Sequence, residues 1–214
     1  PRIAARAAAG EIDGFCVGAP WGGTIEASGA GKMLLHGAEF WRGAPDKVLG
    51  VTAAWAQAHP DTLQAVMRAL IRAAVWADDP ANEAELGAML SAPAYVDAAP
   101  ATLARALSKQ NPFGLRFSVD DAGYPRAAHA LWLLSQMRRW GQVDAAPGQE
   151  AIAKAVYRPD LYLQAAAAVG APTRGAAVDA ESLPSLFDGR IFDPAQLEAY
   201  VAGFAAQKRA APAQ

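Results

Sequence analysis

The sequence predicts a helix-rich α/β fold with few strands. Alanine makes up about a quarter of the 214 residues, and short apolar runs typical of buried strands occur only before Thr52. From Thr52 onward, helical periodicity dominates. No single closed sheet of this length would give that pattern, so we expect a partial α/β lobe whose helices pack against a further segment.

Composition excludes several classes of protein. With 53% hydrophobic and 19% charged residues and a mean hydropathy of +0.06, the chain is too apolar for a disordered protein and too polar for a multispan membrane protein. A formal charge of -2 argues against general nucleic-acid binding by this chain. A lone cysteine, Cys16, excludes an intramolecular disulfide and a cysteine-rich metal site.

The first quarter of the chain alternates short elements. Residues 2–9 predict a helix that stops at Gly10, and Ile12 to Gly18 predicts a buried strand. Residues 24–28 predict a short helix, residues 32–35 a second strand, and residues 47–51 a third strand or an extended segment.

The rest of the chain predicts helices. Pro60 begins the clearest one, because apolar residues from Leu63 to Val75 recur with a period of 3.6. The other expected helices span residues 52–59, 80–90, 100–108, 126–140, 149–156 and 159–169, with a last one from Asp193. Residues 171–188 are rich in Pro, Gly and Ala and predict a linker or an extended wrap.

Two positions are candidates for anion binding. Gly18 follows a predicted strand, where a glycine lets a ligand approach the backbone N–H, although the local pattern by itself favours an ordinary strand-to-helix turn. Lys47 begins an apolar run and would offer an ammonium to a small anion, although a solvated turn lysine gives the same pattern.

Enzymatic signatures are absent from the sequence. Cys16 could pair with His36, His59 or His129 as nucleophile and base, but its apolar neighbours favour a buried structural thiol. The sequence contains no GxSxG, HExxH, P-loop or GxGxxG motif, and it suggests neither a metal site nor a cofactor.

Two further segments could contact a partner. Residues 111–118 could form a docking loop or a hinge, or a loop that two phenylalanines anchor in the core. The helix over residues 126–140 carries Trp132, Trp140 and the pair Arg138-Arg139, which could belong to an interface, with core packing of the tryptophans as the alternative.

Four colinear segments together resemble the nitrate/nitrite/bicarbonate-binding family. They are GEIDGFCVGAPW at residues 10–21, DKVLG at 46–50, residues 59–82 with HPDT at one end and ADDPAN at the other, and NPFG at 111–114. The resemblance covers about Ala8 to Gly170, and little of it lies in the tail. It implies the bilobal fold of type II periplasmic binding proteins, of which this chain would be the C-terminal portion.

The resemblance also implies a domain organisation and a site. Residues 1–110 would complete the second lobe, 111–170 would return towards the first lobe, and 171–214 would form an extended wrap and a last helix. In the family an oxyanion lies in the interlobe cleft, and the position matching Lys47 is basic in nitrate binders and acidic in bicarbonate binders. Lys47 and Gly18 would then be ligands, with Pro20 and Trp21 shaping the site.

One departure bears on the role. Importers of this family usually carry an acidic residue before the Pro-Trp pair and Asn after it, where this chain has Ala19 and Gly22. This resembles the cytoplasmic sensors of nitrate assimilation, which hold an RNA-binding antiterminator of the ANTAR class inactive until nitrate or nitrite arrives.

The sequence leaves two alternatives to the sensor. One is the binding protein of an ABC nitrate importer, periplasmic or membrane-anchored, with a permease as its partner. The other is an enzyme on the same fold, similar to thiamin-pyrimidine synthases, although this chain lacks their His-rich and Cys-rich constellation.

Overall fold

The computed structural model describes residues 2–144, 148–179, 183 and 189–205. Within them the α-helices are, in chain order, α1 (Arg2–Ala8), α2 (Trp21–Ser28), α3 (Gly37–Phe40), α4 (Ala53–Ala58), α5 (Pro60–Asp78), α6 (Glu83–Ser91), α7 (Pro100–Leu107), α8 (Ala127–Arg139), α9 (Gln149–Val156), α10 (Pro159–Ala168), α11 (Ala176–Asp179) and α12 (Leu197–Ala205). Short 3₁₀ turns, Pro80–Asn82 and Pro194–Gln196, lead into α6 and α12. The predicted predominance of helix is confirmed.

Local signals place the helix ends. Oγ1 of Thr52 accepts a hydrogen bond from the backbone N of Trp55 at 3.2 Å, which caps the start of α4. Asp79 and Asp193 cap the two 3₁₀ turns in the same way. Gly10 has a φ of +69° just beyond α1, so the predicted stop at this glycine is confirmed.

The strands predicted for residues 12–18 and 32–35 are wrong, and of the two alternatives for residues 47–51 the strand is excluded. Residues 12–18, 32–35 and 47–51 are irregular or extended, and within the described residues the backbone forms no strand, only an antiparallel bridge between Leu183 and Phe192. A strand requires a hydrogen-bonded neighbour, which the apolar pattern of a segment cannot supply. Leu34 is 84% and Val48 70% exposed, so these runs bury no apolar face here.

The predicted burial of Cys16 is also wrong. Its thiol is free and the residue is exposed. The prediction assumed that residues 12–18 form a buried strand, and this segment is irregular instead.

The chain divides into two compact units. Unit one comprises Pro1–Glu39 and Arg72–Val119, and unit two comprises Phe40–Ile71 and Asp120–Gln214. The core of unit one lies between α6, α7 and the end of α5. Its buried members are Ala77, Leu86, Ala98, Leu103 and Leu107, with Phe117 and Leu115 packed against them.

The core of unit two is built on α8, which packs against α9 and α12. Its buried members are Trp41, Ala128, Ala130, Leu131, Ala153, Leu183 and Phe192. Trp132 packs against this cluster, so core packing is confirmed for it. The same prediction is wrong for Trp140, which is 66% exposed.

The predicted linker over residues 171–188 is described only in part. Residues 176–179 form α11, and Leu183 takes part in the bridge to Phe192. Residues 180–182 and 184–188, like the tail beyond residue 205, lie outside the described residues.

Candidate functional site

Lys47 lies in the segment without regular secondary structure between α3 and α4, in unit two. Its side chain is 81% exposed, and Nζ donates a hydrogen bond to Oδ2 of the adjacent Asp46. An ammonium group has three donors, so donors remain for a further acceptor. Lys47 is therefore a solvated point charge with hydrogen-bonding capacity to spare, and its role as an anion ligand stays a prediction.

Gly18 lies in the irregular segment before α2, in unit one. The residue is exposed, its φ is not positive, and a Cβ on it would contact nothing within 4 Å. Neither crowding nor backbone conformation requires glycine at this position. What glycine provides here is an uncovered backbone, which a ligand could approach closely.

Pro20 and Trp21 connect this segment to α2. The Ala19-Pro20 peptide bond is cis, and Pro20 is buried while Trp21 is half-buried. The backbone N of Trp21 donates to the carbonyl of Gly18 at 3.2 Å, and no side chain caps the start of α2. The helix therefore presents its N-terminal end, which carries partial positive charge, close to Gly18.

Gly22, where importers of the resembling family usually have Asn, is a packing glycine in this chain. A Cβ on Gly22 would overlap Cε of Met33, the far end of a flexible side chain. Met33 is held through its backbone N, which donates to Oε1 of Glu26 at 2.9 Å. The methyl group of Met33 thus occupies the space that a larger residue at position 22 would need.

The predicted site residues fall in different units. Gly18, Pro20 and Trp21 are contiguous at the start of α2 in unit one, and Lys47 belongs to unit two. The structure therefore brings the first three together. The case for Lys47 as an anion ligand therefore depends on its own exposure and its spare hydrogen-bond donors within unit two.

Sequence reasoning missed a buried carboxylate, Asp78, at the end of α5. Its side chain is 4% exposed, and Oδ1 accepts a hydrogen bond from Nζ of Lys109 at 2.7 Å. Oδ2 accepts the backbone N–H groups of Phe117, Ser118 and Val119 at 3.0, 2.6 and 2.9 Å. Asp78 therefore fixes the end of the segment over residues 111–118, which the sequence left open as a docking loop, a hinge or an anchored loop.

The donors around Asp78 determine its ionisation. Burial alone would raise the pKa of this carboxyl group, but the hydrogen bonds from Lys109 and from the three backbone amides lower the pKa to about 2. Asp78 is therefore a carboxylate at neutral pH, and it neutralises Lys109, whose side chain is only 16% exposed.

The remainder of this loop is only partly anchored by aromatic packing. Phe117 packs against the core of unit one, whereas Phe113 is 39% exposed and stacks on His36 with ring centroids 4.4 Å apart. Arg116 donates to the carbonyl oxygens of Lys109 and Asn111. The predicted anchoring by two phenylalanines is thus confirmed for Phe117 alone.

A second buried carboxylate, Asp121, organises part of unit two. It accepts hydrogen bonds from Oγ1 of Thr173 at 2.6 Å and from Nε of Arg174 at 2.9 Å. Burial opposes ionisation of this group, but the bonds from Thr173 and Arg174 outweigh it and lower the pKa of Asp121. The contacts are structural, because they tie two segments of one unit together.

The described residues contain no group of three or more His, Cys, Asp or Glu that could hold a metal ion. His59 lies at the C-terminal end of α4, and His129 makes an edge contact with Trp41 at 6.1 Å. Over the same part of the chain, none of the helices has the length and apolar character needed to cross a membrane.

Comparison with known proteins identifies relatives along nearly the whole chain. Residues 1–91 match the model of the NMT1-like family. The chain is 30% identical to the nitrate/nitrite binding protein NrtA of Synechococcus elongatus over 95% of its own length and 48% of that protein. It is 32% identical to the bicarbonate transport ATP-binding protein CmpC of Synechocystis over 90% of its length and 30% of that protein.

A solved structure is similar as well. The crystal structure of the periplasmic nitrate-binding protein NrtA from Synechocystis PCC 6803 superposes with a TM-score of 0.81 at 28% identity, covering 94% of this chain and 56% of that one. This similarity confirms the predicted fold class. The chain spans about half the length of the NrtA relatives it matches, and the matches, which cover 94–95% of the chain, extend beyond Gly170.

Proposed function

We propose that this chain, which belongs to the nitrate/nitrite/bicarbonate-binding family with the type II periplasmic-binding-protein fold, binds nitrate or nitrite. It acts as a binding module without catalysis, as the named relatives are binding proteins and ATP-binding components of importers. Because the relatives include both nitrate and bicarbonate systems, the identity of the anion has to be argued from the site.

Lys47 is the observation that carries the choice of nitrate. Nitrate has no proton at neutral pH and can only accept hydrogen bonds, so it suits a group such as an ammonium, which can only donate. Bicarbonate has an O–H that can donate, which suits a carboxylate at the same position. The exposed Nζ of Lys47 donates one hydrogen bond to Asp46 and keeps its other donors for an incoming anion.

Gly18 contributes its backbone in this proposal. Its uncovered position beside the uncapped start of α2 supports its backbone N–H as a donor to an oxyanion. Pro20 and Trp21 hold that segment in place, since Pro20 is buried and Trp21 is half-buried. Further ligands would come from segments that correspond to the parts of the longer relatives outside the match.

An anion panel tests the ligand. Nitrate, nitrite and bicarbonate are titrated calorimetrically into the full-length protein at equal ionic strength. The proposal expects heat of binding with nitrate or nitrite and at least tenfold weaker binding of bicarbonate. Tighter binding of bicarbonate than of both nitrogen oxyanions would refute it.

For the biological role we favour a cytoplasmic sensor that holds an RNA-binding antiterminator of the ANTAR class and releases it on nitrate. Ala19 and Gly22 support this role, because both differ from the importer pattern and Met33 already fills the space beside Gly22. The protein itself makes no nucleic-acid contact in this scheme, which accords with its formal charge of -2.

A second candidate is the periplasmic or membrane-anchored binding protein of an ABC nitrate importer, with a permease as its partner. The names of the relatives favour it, because NrtC of Synechococcus elongatus, 34% identical over 87% of the chain and 29% of that protein, is a nitrate import ATP-binding protein. Affinity purification from cytoplasmic extract with and without nitrate separates the two roles. An antiterminator that co-purifies only without nitrate supports the sensor, whereas export of the full-length protein with no such partner supports the importer.

A further inference from the structure

Helix α8 carries an exposed apolar stripe in addition to its core face. Leu133 and Met137 of α8, with Trp140 directly after its last residue, are 40%, 37% and 66% exposed. Their spacing of four and three residues places them on one side of the helix. The core face is formed by other residues, among them Leu131 and Ser135, which are 5% and 0% exposed. The stripe therefore lies outside the core cluster of unit two.

Two arginines lie beside the end of this stripe. Cζ of Arg139 is 4.9 Å from the ring centroid of Trp140 and 4.0 Å from that of Phe204, and Cζ of Arg190 is 4.2 Å from the Phe204 ring. Such stacking holds the guanidinium group of Arg139 in place without neutralising it. We call the stripe together with Arg139 the Trp140 surface.

The charge of Arg139 is not balanced by a carboxylate of the described residues. Its NH1 donates to Oε1 of Gln136 at 3.4 Å, and no described carboxylate lies within 4 Å of it. The neighbouring Arg138, by contrast, forms a bidentate pair with Glu198.

We propose that the Trp140 surface docks an acidic amphipathic helix of a partner protein. An apolar stripe with spacing i, i+4 and i+7 matches the apolar face of a second helix, and Trp and Arg are enriched among the residues that anchor interfaces. Carboxylates of the partner pair with Arg139, which supplies the charge complementarity. The docking uses neither Lys47 nor Gly18, so it does not depend on the anion that the protein binds.

A displayed peptide library provides the probe. Random 16-residue peptides on phage are selected on the immobilised full-length protein, with counter-selection on the Arg139→Glu variant. The proposal expects enriched peptides with apolar residues at i, i+4 and i+7 and flanking Asp or Glu. A labelled enriched peptide should lose at least tenfold in affinity on Arg139→Glu and on Met137→Glu, which leaves the arginine stacking untouched, and its binding should weaken with salt.

Matched controls keep the test specific. Arg72→Glu makes the same charge change at an exposed position of α5 and should alter affinity less than twofold. All variants must keep the far-UV circular dichroism and melting temperature of the parent within a few degrees. Trp140 should be quenched by acrylamide in the free protein and shielded when the peptide is bound.

Four outcomes would overturn the proposal. The first is that selection enriches no acidic helices, and the second is that the peptide binds equally to the parent and to both variants. The third is that Trp140 is shielded in the free protein. The fourth is that the protein binds phosphatidylserine vesicles or single-stranded RNA and that Arg139→Glu abolishes this binding. Shielding would show that another part of the longer protein covers the stripe. Vesicle or RNA binding would assign the surface to a membrane or a nucleic acid. None of these results bears on nitrate binding, which is measured separately.

Discussion

Replacing Asp78 with asparagine removes the charge that holds Lys109 and the end of the 111–118 loop. In the parent protein one carboxylate oxygen faces the ammonium and the other accepts three backbone N–H groups and the hydroxyl of Ser118. An amide has only one oxygen, so its NH2 group must face either the ammonium or the backbone donors. Both arrangements leave buried donors unpaired.

The size of the effect follows from the pKa and from the contacts. A pKa lowered from 3.8 to about 2 corresponds to about 2 kcal/mol of stability at neutral pH. Leaving the Lys109 ammonium, 16% exposed, without its carboxylate adds to this loss. We expect Asp78→Asn to lower the free energy of unfolding by about 3 kcal/mol.

Urea unfolding followed by circular dichroism measures this, with Asp79→Asn as the control. Asp79 is exposed and caps the following turn through Ala81, and asparagine caps equally well, so that variant should lose less than about 0.5 kcal/mol.

Because the pKa of Asp78 is lowered by folding, its contribution is complete above about pH 4 and is lost as the pH falls through about 2. The difference between parent and Asp78→Asn should shrink over that interval. A loss below 1 kcal/mol at pH 7, or a difference that does not change with pH, would refute this reasoning.

Four other substitutions test the packing and the polar contacts by the same assay. Gly22→Asn should cost about 1–2 kcal/mol with Met33 present and distinctly less in a Met33→Ala background, and equal costs would contradict the overlap. Gly114→Ala should cost about 1–3 kcal/mol, because a Cβ there would meet backbone carbonyl oxygens; an unchanged denaturation midpoint would count against it. Asp121→Asn should cost about 1–3 kcal/mol, and a neutral result would mean that its contacts add nothing net. Cys16→Ser should stay within about 0.5 kcal/mol, with the native thiol reacting readily with Ellman's reagent, and slow labelling would show that Cys16 is buried.

The helices could be predicted because their determinants are local. Thr52, Asp79 and Asp193 cap turns within three residues of themselves, and Gly10 stops α1 through its own φ. The 3.6 period likewise located α5, although Leu70 on its predicted apolar face is 49% exposed. Periodicity therefore located the helix better than it located the buried surface.

The strands and the burial of Cys16 could not be predicted, because both depend on distant partners. An apolar run becomes a strand only when another segment pairs with it, and residues 12–18 have no such partner among the described residues. The Asp78 cluster escaped notice for the same reason. Its carboxylate and Lys109 are 31 positions apart, and the amides it binds are about 40 positions away.

The candidate site was predictable only through resemblance. Nothing in the local pattern distinguishes Lys47 from a solvated turn lysine, and its side chain is indeed largely exposed in the structure. Lys47 is proposed as a ligand because the resemblance implies that the matching position is basic in nitrate binders. Gly18 is similar, since no crowding or positive φ calls for a glycine at that point.

Titration of nitrate into the full-length Lys47→Glu protein tests the central claim most directly. A carboxylate at this position would face the anion with like charge, which costs about 4 kcal/mol at close range and corresponds to roughly a thousandfold loss of affinity. Lys154→Glu, an equal charge change at an exposed position of α9, should bind nitrate as the parent does. The account predicts no measurable heat with Lys47→Glu at an unchanged melting temperature, and parental affinity in that variant would contradict it.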